Sequence, residues 1–135
     1  MSSVRYAQAT QVVDLVNNHD KRYDEVLEVE VGDRFEILLK ENPTTGYRWL
    51  VMDEILAKHN LQDVIVLSEQ RFKRDENKRG AVGVGGVRTL EFTALKRGSG
   101  DLVLVNGRSF EVKTILDEID NLDELISKVI PIKVK

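Results

Sequence analysis

The feature that most constrains this chain is alternation. Apolar residues recur at every second position in several short runs, the period of a strand with one face buried. In RFEILLK (34–40), Phe35, Ile37 and Leu39 share a face. In VRTLEFTALK (87–96), Leu90, Phe92 and Ala94 share one, in phase with Arg88. VLEVEV (26–31) predicts a half-buried strand carrying Val26, Val29 and Val31. YRWLVM (47–52) predicts another, with Tyr47, Trp49 and Val51 on one face and Arg48 on the other. DVIVLSEQRF (63–72), LVLVNG (102–107) and VIPIKVK (129–135) also read as strands. Pro131 cannot donate to a ladder, so the last of these is expected at an edge or with a bulge. QVVDLV (11–16) fits a strand or one helical turn, and DEILAKHN (53–60) a short helix or a loop. Gly32-Asp33 and RGSGD (97–101) read as turns, and KRDENKRGAVGVGG (73–86) as a long polar, glycine-rich loop.

Seven or eight short strands with little helix point to an all-β sandwich of the immunoglobulin-like kind, its centre filled by the one tryptophan. The 135 residues suit one domain over 10–135, preceded by a loose polar segment over 1–9. The net charge of −3 argues against general nucleic-acid binding, which relies on clustered positive charge. No run approaches the roughly 18 apolar residues of a membrane span. The chain has no cysteine, which excludes disulfides, thiolate zinc sites and a cysteine nucleophile. With no secretory leader visible, the expected location is cytoplasmic.

Three segments stand apart from the strands. The first is Asn42-Pro43-Thr44-Thr45-Gly46-Tyr47, followed by Trp49. Pro43 fixes one dihedral, Gly46 permits positive φ, and the β-branched threonines between them are stiff. Such a turn either joins two strands or offers a rigid, neutral surface that loses little entropy on binding. The second is the glycine run ending Gly83-Val84-Gly85-Gly86. It fails as a phosphate loop: a G-x-G-x-x-G match from Gly83 would need glycine where Arg88 stands, and a Walker match from Gly80 meets Gly86-Val87 instead of lysine and a hydroxyl. A loop whose bare backbone can approach a partner remains. The third, Arg108-Ser109-Phe110, is either a binding loop or part of a hairpin turning at Asn106-Gly107, with Phe110 in the core.

Taken together, these segments resemble the chagasin family of papain-like cysteine protease inhibitors. Asn42–Tyr47 with Trp49 matches that family's NPTTGY/F-x-W signature. Gly83–Gly86 matches its G-x-G-G loop, and Arg108-Ser109-Phe110 stands where the family carries R-P-W or R-P-F. Order and spacing agree over about residues 25–135. Ser109 for proline and Phe110 for the commoner tryptophan depart from the pattern. The stretch 113–128 lengthens the third loop, and Leu116, Ile119, Leu122 and Leu125/Ile126 predict a short amphipathic helix there. Its acidic residues lack the order of a calcium loop.

The resemblance implies an immunoglobulin-like sandwich whose three loops enter the protease cleft reversibly and without covalent chemistry. Asn42, Pro43, Thr44, Thr45, Gly46 and Tyr47 would form the central loop over the catalytic cysteine. Gly83, Val84, Gly85 and Gly86 would flank it on one side, and Arg108, Ser109 and Phe110 on the other. The implied partner is a papain-like protease bound by a monomer, with no cofactor and no metal. No enzyme constellation competes: His19 and His59 have no catalytic or metal-ligating neighbours in sequence and are expected at the surface. The alternative is an adhesion or scaffold module that turns the same loops on a partner of another kind.

Overall fold

The computed structural model describes residues 10–75, 85–108 and 126–135, and between the last two segments residues 111, 114 and 117. Among them are eight strands in two sheets. β1 (Gln11–Asp14), β3 (Arg34–Glu41), β6 (Gly86–Ala94) and β5 (Ile65–Arg74) form one sheet in that order. β2 (Leu27–Val29), β8 (Ser127–Val134), β7 (Gly98–Arg108) and β4 (Tyr47–Leu50) form the other. β1 and β2 pair in parallel with β3 and β8, while the remaining neighbours are antiparallel.

The alternation finds its partner between the sheets. Phe35, Ile37 and Leu39 of β3 pack with Leu90 and Phe92 of β6 and, from the other sheet, with Leu102, Leu104, Ile130 and Ile132. Phe35 sits opposite Phe92 in the ladder, and their rings stack 5.3 Å apart. Trp49 joins this core. In β2 the buried pair is Leu27 and Val29, whereas Val26 and Val31 lie outside the strand and are exposed. A strand of three residues offers one inward face, and Leu27 and Val29 occupy it.

A helix, α1 (Asp53–Lys58), follows β4. Asp53 and Glu54 in its first turn and Lys58 in its last suit the helix dipole. Asn60, at φ 65°, ends it, and Leu61 N–H returns to the Leu56 carbonyl at 2.8 Å. Ile55 and Met52 cover the outer face of the second sheet at Val103 and Val105. Leu102–Val105 are therefore buried on both faces of β7.

Three local expectations change. Gly98 and Gly100, read as part of a turn, lie inside β7. A methyl at Gly100 would run into the His59 carbonyl, and one at Gly98 would meet Val64 at 2.9 Å, so both glycines admit the α1 end and the turn after it. His59, expected at the surface, is half-buried, and its Nε2 is enclosed with no hydrogen-bond partner. Pro131 belongs to an interior strand, between β2 and β7. Val129 and Lys135 donate their N–H groups to the carbonyls of Lys21 and Val29 across the β2 side. Position 131 is in phase with them but falls between the Arg22 bridge and Leu27, where the ladder is broken. The missing donor of proline costs nothing there. In the stretch 113–128, Thr114 and Asp117 are helical and Ser127 already belongs to β8; Leu116, Ile119, Leu122 and Leu125 lie outside the described residues, as do residues 1–9.

Candidate functional site

The chain leaves β3 at Glu41 and enters β4 at Tyr47, passing from one sheet to the other. Pro43–Thr45 form a single 3-10 turn and Gly46 takes φ +81°, the left-handed region that glycine occupies without strain. Asn42 organises the turn. Its Oδ1 accepts the Thr44 N–H at 3.2 Å and the Thr44 hydroxyl at 2.6 Å. Its carbonyl accepts the Thr45 hydroxyl at 2.8 Å and the Thr45 N–H at 3.3 Å. The Thr45 hydroxyl in turn accepts the Tyr47 N–H at 3.4 Å. Both threonine protons are thus spent inside the turn, which leaves hydroxyl lone pairs and methyl groups for a partner. Asn42, Thr44, Thr45 and Gly46 are exposed.

Beneath this surface the turn is held hard. Trp49 donates its indole N–H to the Lys40 carbonyl at 2.8 Å and its backbone N–H to the Glu41 carboxylate at 3.0 Å. Glu41 is buried, and Arg88 grips it in a forked arrangement, Nη2 to Oε1 at 2.6 Å and Nε at 3.1 and 3.2 Å to the two oxygens. Arg88 also lies over the Phe72 ring at 5.3 Å. Sequence reasoning missed this pair. Its signal was parity: Glu41 continues the inward series of Phe35, Ile37 and Leu39, and Arg88 that of Leu90 and Phe92. Two opposite charges at the core ends of neighbouring strands are each other's natural partner.

The structure brings Gly85, Gly86 and Arg108 to this end of the sandwich, beside the turn. Gly85 lies against the turn: a methyl on it would stand 3.1 Å from the Glu41 carbonyl oxygen and 3.7 Å from the Asn42 Cβ. Gly86 opens β6 opposite Glu41 and is buried. A side chain there would collide with the Lys73 carbonyl and the Phe72 ring, so this glycine answers to packing. Arg108 ends β7 opposite Tyr47. Its guanidinium sits 4.7 Å from the centre of the Tyr47 ring, Nε donates to the Thr45 carbonyl at 3.3 Å, and Nη1 lies 3.8 Å from Glu111. Tyr47 is 38% exposed while Trp49 is buried, so of the two aromatics behind the turn only the tryptophan is core. Asn106-Gly107 makes no hairpin turn: both residues are within β7, opposite Trp49 and Arg48. Gly83, Val84, Ser109 and Phe110 lie outside the described residues. Among the described residues no cluster could hold a metal ion, and no helix is long and apolar enough to cross a membrane.

Comparison with known proteins places the fold and the family. The chain is 32% identical to Amoebiasin-1 of Entamoeba histolytica over 91 residues, covering 61% of this chain and 80% of that protein. It is 27% identical to Amoebiasin-2 of the same organism over 92 residues, covering 68% and 69%. Among solved structures it superposes on the cysteine protease inhibitor EhICP2 of Entamoeba histolytica with a TM-score of 0.64 at 21% identity, covering 95% of this chain and 99% of that one. It superposes on Leishmania mexicana ICP with a TM-score of 0.54 at 28% identity, covering 83% and 89%. Residues 28–120 match the family described as "Chagasin family peptidase inhibitor I42", a span that contains the Asn42 turn, the glycine loop and Arg108, and the chain belongs to that family.

Proposed function

We propose that this protein, a peptidase inhibitor and not an enzyme, blocks the active-site cleft of papain-like cysteine proteases, and that it does so reversibly and competitively. The observation that carries the reading is the Asn42–Gly46 turn, in which Asn42, Thr44, Thr45 and Gly46 are exposed and the turn's own hydrogen bonds close it. A neutral turn of this kind can enter a cleft without burying an unpaired charge. Because it is already ordered, little conformational entropy is lost on docking.

The flanking segments widen the contact. Gly85 lets backbone approach the protease beside Asn42, and the proposal extends to Gly83 and Val84. Arg108 stands on the opposite side, over Tyr47, and the proposal extends to Ser109 and Phe110. Arginine and aromatic residues are the types that most often dominate binding energy. An interface of about 1,600 Å² would accommodate binding in the nanomolar range. We further propose that one inhibitor monomer engages one protease and acts in the cytoplasm, on the absence of cysteine from the sequence.

Titration of papain and of a cathepsin L-like enzyme tests the reading. The expected result is stoichiometric, competitive inhibition, with the inhibitor recovered uncut. Full activity of both enzymes in the presence of micromolar inhibitor would falsify it.

A further inference from the structure

The Glu41 carboxylate stands where three strands converge. Glu41 closes β3, Arg88 belongs to its neighbour β6, and Trp49 belongs to β4 in the opposite sheet. The bond from the Trp49 N–H therefore crosses from sheet to sheet, while Arg88 ties the carboxylate to the strand that follows the glycine loop. One buried side chain fixes the chain as it enters the Asn42–Gly46 turn and again just after it leaves. Through Arg88, two residues beyond Gly86, it also fixes the foot of the second loop.

Stability alone is a poor explanation for such a group. Taking a carboxylate and a guanidinium out of water offsets much of their attraction, and apolar residues of similar size often serve as well. Here the Glu41 side chain is fully enclosed and that of Arg88 nearly so, at 0% and 12% exposure. The forked geometry instead specifies direction and register.

We infer that Glu41 and Arg88 are positioning residues that keep the Asn42–Gly46 turn in a form a cysteine protease can bind but cannot cut. The inference rests on the inhibitory reading above. Cleavage requires the scissile carbonyl to reach the attacking sulfur in a near-attack geometry, with the reacting atoms about 3–3.5 Å apart. A turn closed internally by Asn42 and clamped at both ends by one carboxylate cannot relax into that geometry. Without the clamp it can, and the protease then hydrolyses a peptide bond within it. Water adds across the bond to give a new carboxyl end and a new amino end, and the inhibitor becomes a slow substrate.

The test uses papain, the 135-residue chain and mass spectrometry of the inhibitor over hours. Glu41→Gln and Arg88→Met each remove one side of the pair. The double variant Glu41→Leu/Arg88→Met replaces it with apolar volume. Ile132→Ala, in the core opposite Gly100 at the far end of β7, supplies destabilisation remote from the turn. The wild type is expected to inhibit and remain intact. Each single variant is expected to bind about tenfold more weakly at first. It then loses inhibition with time, as cuts appear between Asn42 and Tyr47. The double variant recovers part of the melting temperature lost by the single ones, since the Trp49 N–H still loses its acceptor, and is still cut, whereas Ile132→Ala stays whole.

The inference is overturned if the single variants stay intact and inhibit like wild type after correction for the folded fraction. It is equally overturned if the double variant resists cleavage, or if Ile132→Ala is cut in the same turn. Failure of the wild type to inhibit papain or a cathepsin L-like enzyme would overturn the underlying reading, and this inference with it.

Discussion

The two ends of the sandwich are built on opposite terms. At the Asn42 end, loops are fixed by directional bonds: Asn42 to both threonines, Glu41 to Arg88 and Trp49, Arg108 to Thr45. At the α1 end they are fixed by burial, with Leu56, Leu61 and Val64 filling the core behind Gly98 and Gly100. Burial holds a segment by covering its inward side chains: at the α1 end Leu56, Leu61 and Val64 are covered, while Asp53, Glu54, Lys58 and Asn60 stay exposed. Hydrogen bonds hold a segment from one side and leave the other bare. An inhibitor needs the second kind of construction where it meets its target, and the first kind where it only needs to stay folded.

The sharpest break in this contrast should come from Gly100→Ala. The added methyl collides with the His59 carbonyl, which is backbone and cannot swing away. A loss of about 3 kcal/mol in stability is expected by thermal or urea melting. Inhibition per folded molecule should be unchanged. A variant as stable as wild type would show that the α1 end yields easily and that its packing is not what holds it.

Thr45→Asp probes the other end. The side chain is exposed and the variant gives up only the hydroxyl bond to the Asn42 carbonyl, so stability should fall by no more than about 1 kcal/mol. A carboxylate carried into a desolvated cleft should weaken inhibition by about 2 kcal/mol, read as an inhibition constant. Equal inhibition by this variant would make the turn a plain strand connection. Asn42→Ala is expected to do both things modestly. It removes the oxygen that receives the Thr44 N–H and hydroxyl, at a cost of about 1 kcal/mol in stability. Inhibition should weaken as the turn loosens. If only stability moves, preorganisation of the turn contributes nothing to binding.

The smallest expected effect lies back at the α1 end. The hydrogen bond and charge of Lys135 hold the exposed Glu28 carboxyl below its ordinary value. A carboxyl lowered in the folded state stabilises the fold above its unfolded pKa and loses that contribution as pH falls through the folded value. Glu28→Gln should therefore flatten the acid limb of the stability profile slightly, from about pH 5 downward. Inhibition at neutral pH should not respond. A variant with an unaltered acid limb would place the pair among surface contacts that contribute nothing measurable.

Much of this was legible in the residues. The inward faces of β3 and β6 follow directly from alternation, because a strand's two-residue period does not depend on what packs against it. The Asn42–Trp49 motif located the turn, and Trp49 is in the core. What could not be read depends on contacts made from elsewhere in the chain. Gly98 and Gly100 look like turn residues until α1 arrives on top of them. Asn106-Gly107 has the composition of a tight hairpin, yet β4 pairs with it and keeps it extended. Pro131 argues for an edge until its position in the ladder is known. The Glu41–Arg88 pair lies between these cases: its parity was visible, but its meaning needed the two strands to be neighbours.

The parallel pairing of β2 with β8 has a consequence for how the molecule assembles. Leu27 meets Ile132 across the ladder, so one pairing joins positions near opposite ends of the sequence. Closing so long a loop costs chain entropy before any contact offsets it, and strand pairings of this kind belong to folds that form in milliseconds to seconds. β8 is also the interior strand that β7 depends on for a neighbour on that side. Until its eight residues are in place, β2 has nothing to pair with and the second sheet is reduced to β7 and β4. The β4–β7 pair that carries Trp49 and Arg108 is then without its β8 neighbour, so the sheet behind the Asn42 turn is complete only once the last strand is in place.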